Sequence, residues 1–196
     1  MAIWLQFFGE QRISKDIDTL ETHIKQELEK VKLDFSFLKN NLKEVKPPSL
    51  FIKGKEPNKD YFIYNHTNWI LNKLKDTISG EYIKLFYPLF KEKIHGGIIV
   101  IIQKDLITVL GDMEHCGNFG LTKKEEIANG YLTFAEQLTK IFYGTKVLLC
   151  SEQIVNIEER EVSFETIEKE CIESKVRKVN DIMEINHENY YISQIE

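Results

Sequence analysis

The chain has 196 residues and a net charge of −5, and 42% of its residues are hydrophobic, 11% aromatic and 29% charged. Disordered chains are poorer in apolar residues, so this composition excludes general disorder and predicts a single globular domain over residues 1–196, with a more polar subregion at 151–196. The longest apolar run, residues 98–102, is far shorter than the roughly 20 residues that span a bilayer. Residues 1–12 also lack the basic region of a secretory signal. We therefore expect a soluble, cytoplasmic protein that does not act at a membrane.

Charged residues are distributed unevenly along the chain. Residues 39–104 contain 12 lysines and six acidic residues, whereas residues 105–196 contain nine basic and 18 acidic residues. This asymmetry indicates two surfaces of opposite sign or, as we favour, two ordinary solvated surfaces. The chain has 23 lysines but three arginines, and 25 isoleucines but three alanines. Such a bias is typical of AT-rich genomes, as in low-GC bacteria and their phages.

The first third of the chain predicts a strand, a helix and a hairpin. Bulky apolar residues at 2–8 predict a strand that Gly9 ends. With Ser14 as N-cap, the apolar residues that follow recur at helical spacing: Ile17, Leu20, Ile24, Leu28 and Val31. Residues 33–37 alternate as a strand would, although the apolar residues after them could continue a helix. "SLFIK" and "YFIY" predict two strands, joined as a hairpin by the turn formers of residues 54–60.

The middle of the chain predicts the centre of a sheet. Residues 67–78 have a helical pattern, whereas residues 82–90 are ambiguous because Pro88 would remove a hydrogen bond from a helix. "GGIIVIIQ" and "LITVLG" are β-branched and almost fully apolar, and Lys104-Asp105 separates them. Uniform apolarity is typical of strands that are covered on both faces.

The last part of the chain predicts two amphipathic helices and a terminal hairpin. Thr122 and Glu125 form a capping box at the start of the first helix, and Gly144 is its expected C-terminal stop. Its predicted buried stripe is Ile127, Tyr131, Phe134, Leu138 and Ile141. A strand over 145–150 follows. Ser163 caps the second helix, which is acidic and whose predicted apolar stripe is Phe164, Ile167, Cys171 and Ile172. "IMEI" and "YYISQI" around the turn "NHEN" predict the hairpin.

Irregular alternation of strands and helices predicts an α+β fold with a mixed or largely antiparallel central sheet and flanking amphipathic helices. An irregular α/β fold is the alternative.

The loop at residues 112–120 holds the densest group of reactive side chains. Cys116 could act as a nucleophile, and Asp112, Glu114 and His115 are suitable metal ligands. However, His115 is an awkward base for its neighbour because adjacent side chains of an extended chain point to opposite sides. A phosphate could bind the glycine-rich half of the loop, yet the capping box occupies the same N–H groups. We favour a turn without a ligand, and we predict no metal and no cofactor.

Two further segments could bind macromolecules. Lys53, Lys55, Lys59 and Trp69 belong to a segment of interleaved lysines and aromatics that could contact a single-stranded nucleic acid. No nucleic-acid-binding signature supports this, and we favour a hairpin with its aromatic residues turned inward and a lysine-rich turn outside. Cysteine usage adds little, since Cys116, Cys150 and Cys171 are too few and too scattered for a disulfide framework. Within the acidic run of residues 152–173, we single out Glu158, Glu159 and Glu161 as residues that could meet a basic partner surface.

The sequence contains no catalytic triad, no paired carboxylates at helical spacing beside a histidine, no Rossmann glycines and no nucleotidyltransferase signature. The leading hypothesis is therefore a non-catalytic protein that binds another protein, such as a toxin-neutralising immunity protein or an accessory or regulator of a defence system. An enzyme of the thiol- or metal-dependent hydrolase type, with its site at residues 112–120, is the alternative. Nucleic-acid or nucleotide binding is the third hypothesis.

Overall fold

The computed structural model describes residues 5–13, 16–27, 33, 44–45, 50–54, 62–64, 81–90, 94–110, 125–151, 154–155 and 162–196. These ranges contain ten strands, three α-helices and a short 3-10 helix at Ile182–Glu184. The helices are α1 (Ile17–Glu27), α2 (Glu125–Ile141) and α3 (Phe164–Glu173). The strands are β1 (Leu5–Glu10), β2 (Glu44–Val45), β3 (Leu50–Gly54), β4 (Phe62–Tyr64), β5 (Tyr82–Phe90), β6 (Ile94–Gln103), β7 (Leu106–Leu110), β8 (Lys146–Ser151), β9 (Arg177–Val179) and β10 (Asn189–Gln194).

All ten strands belong to one sheet, in the order β4-β3-β5-β6-β7-β1-β8-β10-β9, with β2 paired to β5. Neighbouring strands are antiparallel, except that β9 and β10 are parallel. The predicted α+β class with a mixed, largely antiparallel sheet is therefore confirmed.

The predicted hairpin before residue 66 is present, and the two predicted central strands form a second hairpin. β3 and β4 pair with Ile52 opposite Ile63, and β6 and β7 pair with Ile102 opposite Ile107. The turn of the second hairpin is Lys104-Asp105, and β6 and β7 lie in the middle of the sheet, as their apolar composition predicts.

The ambiguous segment at residues 82–90 is strand β5. Pro88 is in register with Gly97 of β6. On the other flank of β5, the pairing with β3 reaches Phe86 and the pairing with β2 begins at Leu89. Pro88 thus lies between these two pairings, where a residue without an N–H interrupts neither of them.

Helices cover both faces of the sheet. Because strand residues alternate, Phe7, Val147 and Leu149 lie on what we call the first face, and Phe8, Leu148 and Cys150 lie on the second face. α1 and α2 pack on the first face through the larger core, which includes Leu20, Ile24, Phe134 and Leu138. α3 packs on the second face through a smaller core, which includes Phe164, Ile167 and Cys171.

The N-terminal predictions need two corrections. Gly9 does not end β1, since the strand continues to Glu10. Instead, a Cβ at Gly9 would overlap Thr139 Oγ1, so the glycine lets α2 approach the strand closely. α1 begins at Ile17, and the capping hydrogen bond predicted for Ser14 is made by Asp16, whose Oδ2 accepts from the Thr19 N–H at 2.8 Å.

The predicted buried stripe of α2 is confirmed at all five positions, but the predicted stop is wrong. Tyr143, not Gly144, adopts the left-handed conformation, with φ of 58°. The Tyr143 N–H donates to Lys140 O at 3.1 Å and the Gly144 N–H donates to Thr139 O at 3.0 Å. Gly144 is needed for space, because a Cβ there would lie 2.6 Å from Thr139 Cγ2. The predicted capping residue Thr122 lies outside the described residues.

The C-terminal region departs most from prediction. Ser163 caps α3 as expected, accepting from the Thr166 N–H at 3.1 Å. The terminal hairpin does not form. Asp181 accepts from the Met183 N–H at 2.8 Å and starts the 3-10 helix where a strand was predicted. β10 pairs instead with β8 and β9.

Candidate functional site

Most residues singled out from the sequence lie outside the described part of the chain. Lys53 is an exception: it belongs to β3, in register with Phe62 and Ile83. The enzyme, nucleic-acid and acidic-run hypotheses therefore stay predictions. The residues concerned are Asp112, His115, Cys116, Lys55, Lys59, Trp69, Glu158, Glu159 and Glu161.

Of the described histidines, His23 has a structural position and His187 an exposed one. His23 Nε2 lies 2.8 Å from the Ile141 carbonyl oxygen, and its ring contacts Phe142 edge to face at 5.4 Å between centroids. His23 therefore links α1 to the end of α2. His187 is exposed in the turn before β10.

α3 has one buried side and one acidic side. Phe164, Ile167 and Cys171 are its buried residues, and they match the spacing of a helix face. The helix contains four glutamates and one lysine. We call the outward side chains the α3 surface: Glu165, Glu168, Lys169, Ile172 and Glu173.

Ile172 is the unusual member of the α3 surface. Its side chain was predicted to be buried, yet it is 60% exposed. The reason is the rotation between successive residues of a helix. Phe164, Ile167 and Cys171 face the core, so Ile172, which follows Cys171, lies on the flank of the helix. Ile172 shares that flank with Glu165, Glu168 and Lys169, which precede it by seven, four and three residues.

Two ion pairs hold part of the α3 surface. Lys146 of β8 contacts Glu168 at 3.0 Å, with both side chains partly buried. Lys169 contacts Glu173 at 3.6 Å, and both of these side chains are mostly exposed. The second pair is solvated and contributes little to stability, so its charges remain accessible to a partner.

Beneath α3, two cysteine side chains meet between the helix and the sheet. Cys150 of β8 and Cys171 of α3 are both fully buried and both free thiols. A hydrogen bond with Cys171, together with burial and the nearby Glu170, raises the pKa of Cys150 well above its ordinary value. Cys150 is therefore a protonated, weakly nucleophilic thiol at neutral pH. Sequence reasoning did not identify this pair, because the contact depends on how α3 packs on β8.

Polar side chains also interrupt the second face of the central strands. Lys84 of β5 and Thr108 of β7 are buried on either side of Ile101, with which both are in register. Lys84 Nζ lies 5.8 Å above the Tyr82 ring. Within the described part of the chain, Thr108 Oγ1 and the buried Gln6 Oε1 have no hydrogen-bond partner. Sequence reasoning left residues 82–90 ambiguous and treated β7 as almost fully apolar, so it missed this group.

The best-formed charged cluster is structural. Glu10 accepts from the Thr145 N–H at 2.8 Å, from Thr145 Oγ1 at 2.9 Å and from Arg12 at 2.9 Å. Burial alone would raise the pKa of Glu10, but these hydrogen bonds and the Arg12 charge together outweigh it and lower the pKa below 4.5. The cluster fixes the end of β1 to the turn that precedes β8.

Two classes of feature are missing from the described ranges. No three histidine, cysteine, aspartate or glutamate side chains there are grouped as metal ligands. No helix among those residues has the length and apolarity to cross a membrane. The α3 surface, with the thiol pair beneath it, is thus the most distinctive candidate site that the structure describes. In comparisons with known proteins, the chain matches no family model, no curated protein and no solved structure.

Proposed function

We propose that the protein acts by binding another protein through the α3 surface, in the manner of an immunity protein or of an accessory or regulator of a defence system. The observation that carries the proposal is Ile172, a large apolar side chain that is 60% exposed on an acidic helix. Burying the exposed 60% of this side chain in a partner would be favourable by about 1–2 kcal/mol. The helix does not need Ile172 for its own packing, since its other side carries the buried residues.

The chemistry of the α3 surface selects a basic partner. Four glutamates against one lysine give the helix a negative charge, and complementary charges accelerate association and fix orientation. Glu158, Glu159 and Glu161 precede α3 directly in the sequence and would add to the same negative potential. The proposed partner therefore presents a small apolar depression with lysines or arginines around it.

A two-stage binding experiment tests the proposal. The tagged protein is used to capture partners from its native host, and each partner identified by mass spectrometry is purified and titrated by calorimetry. We expect Ile172→Ser to weaken the dissociation constant at least tenfold, since an exposed residue can be changed without loss of folding. The double charge reversal Glu165→Lys with Glu173→Lys should slow association, most strongly at low salt.

Tyr143 offers a matched control. It is the other large hydrophobic residue that is exposed in the described ranges, at 67%, and it lies after α2 rather than on α3. Tyr143→Asn keeps a residue that tolerates the left-handed conformation and should leave the dissociation constant unchanged. Equal binding of the partner to wild type and Ile172→Ser, or a partner whose contact surface is acidic, would contradict the proposal.

A further inference from the structure

The buried thiol pair lies between β8 and α3, the two elements on either side of residues 152–163. Cys150 lies on the second face of β8, and Cys171 lies on the buried side of α3. Both are free, fully buried and part of the same small core. The chain between them includes the predicted binding residues Glu158, Glu159 and Glu161. A covalent bond between the two sulfur atoms would tie both ends of that segment.

We propose that Cys150 and Cys171 form a latent redox pair, which peroxide oxidises to a disulfide that locks α3 onto β8. In the first step a thiolate attacks the peroxide, an S–O bond forms, the O–O bond breaks, and sulfenic acid and water result. In the second step the other thiol attacks the sulfenic sulfur, the S–S bond forms, the S–O bond breaks, and the oxygen leaves with the thiol proton as a second water. Two thiols thereby lose two protons and two electrons, and one hydrogen peroxide is reduced to two waters.

The surroundings of the pair make this reaction dependent on opening of α3. Both cysteines are fully buried, so peroxide reaches them poorly in the closed structure. The hydrogen bond with Cys171 and burial also raise the pKa of Cys150, so the closed structure holds little Cys150 thiolate. α3 is attached through three buried residues, Phe164, Ile167 and Cys171. A helix with so few buried contacts opens at lower free energy than the rest of the fold. Oxidation is therefore slow in the closed state and proceeds through molecules in which α3 has lifted.

The disulfide has consequences for stability and for the proposed binding surface. It closes the loop between residues 150 and 171, which lowers the entropy of the unfolded chain. It also holds the α3 surface in one position, and a pre-organised surface loses less entropy on binding. This second consequence rests on the proposed function, whereas disulfide formation does not.

The test uses the full chain with Cys116→Ser, so that Cys150 and Cys171 are the remaining thiols. The protein is incubated with hydrogen peroxide, free thiols are alkylated, and intact mass and peptide mapping are measured. We expect a loss of about 2 Da, a Cys150–Cys171 linked peptide, a Tm several degrees higher, and reversal by dithiothreitol. Urea below the unfolding transition should accelerate the reaction several-fold, because it favours the opened state.

Cys171→Ser in the same background is the matched control, since it keeps the size of the side chain and removes one sulfur. It should form no disulfide and show no rise in Tm with peroxide. If the variant does not fold, wild-type protein with all three thiols supplies a second measurement, in which Cys150 must pair with Cys171 and not with Cys116. Both thiols remaining reduced while Cys116 is oxidised, a disulfide to Cys116, or a lower Tm after linking would each overturn the inference.

The readouts separate this inference from the proposed function. A disulfide that forms and stabilises the protein, without any effect of Ile172→Ser on a partner, would retain the redox pair and reject the binding surface. A partner that depends on Ile172, with no disulfide under any peroxide concentration, would do the reverse.

Discussion

α2 and α3 cover the same region of the sheet from opposite sides, but their attachments differ. α2 has 17 residues, nine of them buried, and contacts β1 and β8 from the first face. α3 has ten residues, three of them buried, and contacts β1 from the second face. Since apolar burial is the main source of attachment, we expect α2 to stay packed on the sheet and α3 to separate from it more easily. The proposed binding surface and the thiol pair both belong to the weaker attachment.

The side chains at the two contacts differ in kind as well as number. Under α2, Phe7 stacks with Tyr131 at 6.3 Å and Tyr87 meets Phe134 edge to face at 5.8 Å between ring centroids. Under α3, the smaller core combines three aromatic residues, Phe8, Phe164 and Tyr190, with aliphatic residues and the thiol pair. Aromatic pairs add to the energy of burial, whereas thiols behave as small hydrophobes whose importance is chemical.

The largest expected effect comes from truncating a buried phenylalanine of each helix, Phe134 in α2 and Phe164 in α3. Phe134→Ala should lower the free energy of unfolding by about 3–5 kcal/mol, because it leaves a cavity in the larger core. Phe164→Ala should release α3 before the rest of the chain unfolds. Urea denaturation and hydrogen exchange measure both effects. If Phe164→Ala speeds amide exchange in α2 as much as in α3, α3 is not more weakly attached than α2.

The second effect tests the close approach of α2 to β1. Gly9→Ala places a methyl group on Thr139 Oγ1 and should cost about 1–3 kcal/mol of unfolding free energy, as overpacking does. Thr139→Ala removes that oxygen, so the double variant should be more stable than the sum of the two single changes predicts. Chemical denaturation of all four proteins supplies the cycle. Strict additivity would mean that Gly9 is not required for this contact.

The smallest effect concerns the Glu10 cluster, which anchors the turn after α2. Because the pKa of Glu10 is lowered in the folded state, its contribution to stability is complete above about pH 4.5 and is lost as pH falls through the folded pKa. Glu10→Gln should therefore destabilise the protein by about 1 kcal/mol at pH 7 and progressively less below pH 4.5. Thermal unfolding between pH 3 and 7 measures this, and a difference that grows with acidification would contradict it.

The buried face of α2 and the two central strands could be predicted, because both follow from the pattern of neighbouring residues. The stripe from Ile127 to Ile141 repeats at 3.6 residues, and "GGIIVIIQ" and "LITVLG" are almost fully apolar, so the pattern itself indicates which residues are buried. Strand partners could not be predicted in the same way. β10 lies beside β8 because Asp181 and Asn189 make side-chain hydrogen bonds that turn the chain between β9 and β10, and residue type alone does not reveal these bonds.

Some features of the candidate site could be predicted from the sequence, and others depend on contacts between distant parts of the chain. The cap at Ser163 and the acidic character of α3 follow from the sequence, but the exposure of Ile172 depends on the exact angle at which the helix packs. The contact between Cys150 and Cys171 depends on the register of β8 and on the side of the sheet that α3 covers. The exposure of Ile172 and the contact between the two cysteines are not local properties. The sequence therefore predicts the acidic helix, but not the exposed isoleucine or the thiol pair that make it a candidate site.

The position of β1 in the sheet also bears on synthesis of the chain. Phe7 of β1 is opposite Val109 of β7 on one side and opposite Leu149 of β8 on the other. β1 therefore has no neighbouring strand until about 100 further residues have left the ribosome and β7 has emerged. Its other edge stays unpaired until about 40 more residues, up to β8, have followed. Pairing over such sequence distances is slow and leaves unpaired strands exposed to aggregation. During translation, the apolar residues of β1 therefore stay unpaired and prone to aggregation until β7 and β8 emerge.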